Sequence, residues 1–212
     1  MPDWSLCVIT RRGAPGRDHL DIARAALRGG ARLIQLRDKE MSGRALLEAA
    51  RRLADLAHGH GGVLIVNDRL DVALAAGADG VHLGEEDLPI AAARRVLGDE
   101  AIIGASVANA QQAAEAEAAG ATYVSVGSVF PTGSKADAGE PIGLAAVREV
   151  KRKVRLPVLA IGGISRDNVT EVIRAGADGV AVISAVASAD DMERATAELL
   201  RLIADARRTQ AE

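Results

Sequence analysis

Gly77-Ala78-Asp79-Gly80-Val81-His82-Leu83 decides the fold. An alanine-rich, helix-suited stretch ends at Gly77-Ala78, and an apolar, strand-suited run follows at once. Glycine just beyond a helix accepts the left-handed conformation that closes it. The same pattern stands at Gly30-Ala31-Arg32-Leu33-Ile34-Gln35-Leu36, at Gly120-Ala121-Thr122-Tyr123-Val124-Ser125-Val126 and at Gly176-Ala177-Asp178-Gly179-Val180-Ala181-Val182. The copies lie roughly 43–56 residues apart, room for two βα units between one copy and the next.

Further apolar runs fill the gaps. Strands are expected at 6–10, 33–37, 64–66, 80–83, 102–105, 123–126, 158–161 and 179–183. Helical patterns lie near 18–28, 42–58, 69–75, 89–97, 109–119, 144–152, 165–175 and 190–207. Short, continuous apolar strands suit a parallel sheet covered by helices on one face and filled on the other. Eight βα units in order predict an α/β fold, a single (β/α)8 TIM barrel forming one domain over residues 1–212. The rival is an open doubly wound sheet; eight units without a compositional break favour closure.

The chain has 212 residues, 49% of them hydrophobic, and a net charge of −3, so neither a basic polyanion-binding surface nor a shortage of core is in view. Trp4, Tyr123 and Phe130 are the whole aromatic set, too few π-faces to stack single-stranded nucleic acid. Cys7 lies in an apolar run and reads as a small core residue. No basic leader pattern or bilayer-length apolar segment is visible, so a cytoplasmic protein without membrane contact is expected. A homo-oligomer is compatible with the sequence.

In such a barrel, chemistry gathers at the C-terminal ends of the strands. Polar residues collect there: Gln35-Leu36-Arg37-Asp38-Lys39, Asn67-Asp68-Arg69, Gly84-Glu85-Glu86-Asp87, Ser106, Gly162-Gly163 and Ser184. The longest connection, 127–143, opens with Gly127-Ser128-Val129-Phe130-Pro131-Thr132-Gly133-Ser134-Lys135. Two hydroxyls, a glycine and a lysine suit an oxyanion. Arg37 and Lys39 flank one position of an extended stretch, so both can face one phosphate or pyrophosphate; the alternative is a pair of solvated charges. Asp68 and Asp87 either share a Mg²⁺ with phosphate oxygens and water or cap the helices that follow them. Glu85 and Glu86 read as solvated loop acids. His19, His58, His60 and His82 show no metal-ligand spacing; His58 and His60 are expected at the surface and His82 as interior support. No Ser-His-acid elbow and no nucleophilic cysteine is present, and Gly133-Ser134-Lys135 is not in the order of a nucleotide-binding P-loop.

Together these pieces resemble the thiamine-phosphate synthase family. The likeness rests on Gln35 to Lys39, Asn67-Asp68, Gly80-Val81-His82-Leu83-Gly84 with Asp87, Gly127 to Lys135, and Ile161-Gly162-Gly163-Ile164, in family order. The resemblance implies a transferase that joins hydroxymethylpyrimidine pyrophosphate to hydroxyethylthiazole phosphate, giving thiamine monophosphate and pyrophosphate. By that similarity Gln35, Leu36, Arg37, Asp38, Lys39, Asn67, Ser106 and Lys135 hold the pyrimidine pyrophosphate, with Arg37, Lys39 and Lys135 as the catalytic cations. Asp68 and Asp87 bind Mg²⁺. Thr132, Gly133, Ser134, Gly163, Ile183 and Ser184 hold the thiazole phosphate. The chain departs from the family pattern at Ser128, where proline is common, and at Ser134, where threonine is common. The alternatives are a thiazole tautomerase-like barrel acting on the thiazole phosphate alone, and a non-catalytic binder of thiamine precursors. The acid pair and the absence of a histidine near Ser128 favour the synthase.

Overall fold

Each strand is an apolar run with almost every residue buried, which is what a parallel sheet sandwiched between an inner fill and an outer helix layer requires. The computed structural model describes residues 2–12, 17–134 and 140–211. Its strands are β1 (Leu6–Thr10), β2 (Leu33–Leu36), β3 (Val63–Asn67), β4 (Gly80–Leu83), β5 (Ile102–Val107), β6 (Tyr123–Val126), β7 (Val158–Ile161) and β8 (Gly179–Val182). All pair in parallel, each with its sequence neighbour, and β8 returns to β1 through Leu6↔Val180, Cys7↔Ala181 and Val8↔Val182. The sheet is therefore a closed (β/α)8 barrel, and the open-sheet alternative is excluded.

The helices are α1 (His19–Arg28), α2 (Gly43–Gly59), α3 (Leu70–Ala76), α4 (Ile90–Leu97), α5 (Ala110–Ala118), α6 (Gly143–Lys153), α7 (Val169–Arg174), α8 (Ser184–Ala187) and α9 (Met192–Ala211). The four-residue α8 has no counterpart in the sequence reading. Helix α7 starts later than expected because residues 165–168 form a turn, in which Asn168 Oδ1 accepts the Ser165 N–H at 2.9 Å.

The repeat has a structural meaning at every position. Gly30, Gly77, Gly120 and Gly176 all carry positive φ, from 67° to 105°, and reverse the chain from helix into strand. In three of the four copies the third residue then ties down a neighbouring strand: Asp79 Oδ2 accepts the Leu64 N–H at 2.7 Å, Thr122 Oγ1 the Ile103 N–H at 3.0 Å, and Asp178 Oδ2 the Val158 N–H at 2.8 Å. Each bond satisfies a backbone donor at the strand's beginning, the end away from the chemistry.

Two cores result. The outer one packs helix faces onto the sheet, through residues such as Ile22, Leu53, Val147 and Ile203. The inner one fills the barrel with Cys7, Ile9, Leu33, Ile65, Tyr123 and Leu159, among others. Cys7 is buried as expected. The axis is filled by side chains, and a cavity opens above them at the C-terminal ends of the strands.

Candidate active site

A cavity of about 450 Å³ opens at the C-terminal ends of the strands. Arg37 and Lys39 reach it from the turn after β2, Asn67 and Asp68 from the end of β3, and Asp87 from the loop after β4. Ser106 lines it from β5, Thr132 and Ser134 from the loop after β6, Gly163 from the turn after β7, and Ile183 and Ser184 from the end of β8. Residues up to 147 positions apart in sequence, Arg37 and Ser184, thus share one wall because parallel strands end at one rim.

One side of the cavity is ionic. Lys39 Nζ lies 4.0 Å from Asp68 Oδ2. Asp68 is held at a positive φ of 61°, a conformation that aspartate and asparagine accept better than most residues. Its carboxyl is pushed up to about 6, first by burial, then by a hydrogen bond that its protonated form donates to Asp87 and by the charge of Asp87, with Lys39 and Arg37 pulling the other way. Asp87 Oδ2 also accepts the Gly84 N–H at 2.7 Å, which closes the loop after β4. Neither aspartate caps a helix: the N-terminal flanks of α3 and α4 are Arg69 and Pro89, without side-chain capping bonds. That removes the structural alternative left open by the sequence. Glu85 and Glu86 sit exposed on the rim.

The opposite side is neutral and rich in donors. Ser134 Oγ donates to Ser184 Oγ at 3.2 Å, and the Ser134 N–H donates to Thr132 Oγ1 at 3.2 Å. Gly163 has φ 64°, and a Cβ there would lie 2.6 Å from the Pro131 carbonyl oxygen. Asn168 Nδ2 donates to the Gly163 carbonyl at 2.9 Å and holds that turn. The base of the preceding loop is fixed by the Val129 N–H on Ile161 O at 2.9 Å and the Phe130 N–H on Gly162 O at 3.1 Å.

Four expected residues stand outside this wall. Leu36 points outward and is fully buried beneath the helices. Gln35 is buried inside the barrel below the cavity. Gly133 belongs to the loop without lining the cavity. Asp38 faces away: its carboxylate accepts the Glu40 and Met41 N–H groups at 2.9 Å each, meets His19 Nε2 at 3.1 Å and Arg12 Nε at 3.4 Å. Burial opposes its ionisation, but those hydrogen bonds outweigh burial and keep the carboxyl below its ordinary value. Asp38 thus shapes the turn that presents Arg37 and Lys39. Lys135 lies outside the described residues.

The sequence reading missed Ser125 and Ser128 in the wall, and Asn168 behind it. His82 is buried in the barrel yet also lines the cavity, and its Nε2 lies 2.9 Å from Ser106 Oγ. His58 and His60 are exposed.

Comparison with known proteins points in one direction. The family model described as thiamine monophosphate synthase matches residues 6–186. The thiamine-phosphate synthase of Moorella thermoacetica is 50% identical over 208 residues, 98% of this chain and 99% of that protein. The thiamine-phosphate synthase of a Roseiflexus species is 56% identical over 200 residues, 94% of this chain and 85% of that protein. Among solved structures, a thiamine phosphate pyrophosphorylase from Pyrococcus furiosus superposes with a TM-score of 0.88 at 44% identity, covering 96% of this chain and 97% of that one.

Proposed function

We propose how the residues divide the labour, from the premise that the chain belongs to the thiamine monophosphate synthase family. Membership makes it a transferase of thiamine biosynthesis. The pyrimidine pyrophosphate sits on the ionic side and the thiazole phosphate on the neutral side. One observation carries this: a single cavity has a cation-and-carboxylate wall facing a wall of hydroxyls and close-approaching glycine backbone. The first wall suits a multiply charged leaving group, the second a phosphate monoester.

The reaction is a substitution at the pyrimidine methylene carbon. The carbon–oxygen bond to pyrophosphate breaks, the aminopyrimidine ring spreads the resulting positive charge, and the thiazole nitrogen donates its electron pair to the carbon. No protein nucleophile is needed. Arg37 and Lys39 stabilise the negative charge that grows on the departing pyrophosphate, and Lys135 joins them by family likeness. Thr132, Ser134, Ser184 and the backbone at Gly163 hold the thiazole phosphate so that its ring nitrogen faces the methylene carbon. Such alignment is worth several kcal/mol by itself. Asn67 and Ser106 orient the pyrimidine substrate.

Asp68 and Asp87 fit a divalent cation. Their carboxylates hydrogen-bond to each other, and the proton that this arrangement retains is one that a cation would replace. Among the described residues no group of three or more His, Cys, Asp or Glu side chains is poised to enclose a metal. Two carboxylates, with substrate oxygens and water completing the shell, favour Mg²⁺ over a metal needing an all-protein cage. A Mg²⁺ held by Asp68 and Asp87 would supply positive charge to the pyrophosphate. Among the described residues no helix is long and apolar enough to cross a membrane. Cytoplasmic residence is part of the proposal, consistent with a buried free cysteine.

The test mixes the purified protein with both substrates, with and without Mg²⁺, and follows pyrophosphate. Mg²⁺-dependent release is expected; its absence while both substrates are shown to bind would sink the proposal. Lys135→Ala is expected to lower kcat/KM by roughly 10²-fold, as loss of an oxyanion donor does. A change below about threefold would make Lys135 peripheral.

A further inference from the structure

From Ser106 and His82 at the cavity floor a row of buried polar groups runs into the barrel, which an apolar fill does not require. His82, Tyr123 and Gln35 are 5%, 1% and 3% exposed. His82 Nε2 lies 2.9 Å from Ser106 Oγ, and His82 Nδ1 lies 2.9 Å from the Tyr123 hydroxyl. The Gln35 side chain hydrogen-bonds the same hydroxyl. The register explains the contact: Gly104 of β5 stands between His82 of β4 and Tyr123 of β6, so the phenol crosses over a glycine to reach the imidazole. Ser106 is two residues further along β5 and opens into the cavity.

Two proton orders satisfy these distances, and they differ in which His82 nitrogen carries the hydrogen. Burial pushes the Tyr123 phenol well above its ordinary value, so it stays protonated; the Cys7 side chain adds to that, and the Gln35 contact works the other way. In one of these orders the Gln35 amide N–H donates to the phenol oxygen. The phenol's own proton is then directed at His82 Nδ1. A neutral imidazole that accepts at Nδ1 carries its proton on Nε2. In that order His82 donates to Ser106 Oγ, and the Ser106 proton turns into the cavity.

We infer that His82, held by Tyr123 and Gln35, is a positioning residue that makes Ser106 a committed hydrogen-bond donor to the pyrimidine pyrophosphate. This rests on the substrate assignment above. It also narrows recognition: the substrate atom opposite Ser106 is an acceptor, a ring nitrogen or a pyrophosphate oxygen, and not the exocyclic amine. Gln35 acts from behind the wall, at the far end of the row.

Two experiments test it. In the full-length protein labelled with ¹⁵N-histidine, long-range ¹H–¹⁵N correlation at neutral pH should show His82 neutral with its proton on Nε2. A proton on Nδ1 would overturn the inference. This measurement needs no variant and no substrate, so it stands even if pyrophosphate release fails and the proposed function falls. The second compares His82→Leu with His82→Gln, whose amide can still donate to Ser106. His82→Leu should lower kcat/KM for the pyrimidine pyrophosphate by roughly tenfold or more and leave KM for the thiazole phosphate unchanged. His82→Gln should recover to within about threefold of the parent, and His82→Leu should add nothing further in a Ser106→Ala background. Equal damage by leucine and glutamine, or full additivity with Ser106→Ala, would leave His82 a packing residue. Inhibition by inorganic pyrophosphate separates the two acceptors. If it weakens in Ser106→Ala, the acceptor is a pyrophosphate oxygen; if it is unchanged while KM for the full substrate rises, the acceptor is a ring nitrogen. If neither changes, Ser106 donates nothing and the inference falls.

Discussion

Asp68→Asn is expected to lower turnover by about 10³-fold and, at the same time, to stabilise the ligand-free protein at pH 8. Both effects follow from one geometry. Asp68 and Asp87 stand together at the ends of neighbouring strands, and removing one carboxylate halves the protein's share of the proposed Mg²⁺ site. Without metal, however, the pair is a liability. The Asp68 carboxyl has a folded-state value of about 6 against an ordinary 3.8, so the folded chain holds this proton more tightly than the unfolded chain does. A raised carboxyl destabilises the fold once it ionises: the penalty is absent below the unfolded value, grows between the two and is complete above about pH 6. Asparagine cannot ionise and still accepts the positive φ of 61° at this position.

The side chain is 26% exposed, so solvent screening trims the linkage, leaving a gain of about 1–2 kcal/mol. Thermal melts of the metal-free proteins should show the variant ahead at pH 8, with the gap closing toward pH 4. Equal melting temperatures at pH 8, or turnover within tenfold of the parent, would remove Asp68 from the role given to it. The same trade between stability and activity is common where a site concentrates like charge.

Gly104→Ala is expected to destabilise the barrel by about 3 kcal/mol, at the upper end of single-methyl overpacking. A Cβ at Gly104 would stand 2.2 Å from Tyr123 Cζ and 2.4 Å from Cε1 and the hydroxyl oxygen. The ring has nowhere to go. It is 1% exposed, its hydroxyl is bonded to His82, and its centroid is 5.0 Å from that of Trp4. Nor can the glycine retreat, since β5 is paired on both sides, with His82 and with Tyr123 itself. Urea unfolding measures the loss, and pairing the change with Tyr123→Leu, which removes the ring, should return part of it. A loss under about 1 kcal/mol would mean that the inner layer is looser than close packing implies. Because the ring carries the hydroxyl that orients His82, the folded variant should also turn over more slowly.

The architecture was written locally. Glycine closure after four of the helices, an apolar run after each closure, and polar residues after most of the runs are short-range patterns, legible without knowing what touches what. They place eight strands in the sequence within a few residues of where they lie and locate the cavity rim at Arg37, Lys39, Asn67, Asp68, Asp87, Ser106, Thr132, Ser134, Gly163 and Ser184. They did not reveal the short helix α8, which is a single turn with no period to detect.

Facing and partnership were decided elsewhere. The family likeness implies Gln35, Leu36 and Asp38 as substrate residues beside Arg37, while alternation along the strand and the turn beyond it place them in the interior, the helix layer and a brace on His19. Whether Asp68 and Asp87 cap helices or meet each other could not be read from either residue's neighbours in sequence. The meeting needs β3 beside β4 in one register, Asn67↔His82, and it is this proximity, in a half-buried place, that moves the Asp68 carboxyl. The row from Ser106 through His82 and Tyr123 to Gln35 likewise exists only after four strands are aligned. Sequence by itself thus determined the barrel, its polar end and its family; tertiary structure determined which polar groups share a proton, because hydrogen bonds and charge act over a few ångströms of space between residues that the chain keeps tens of positions apart.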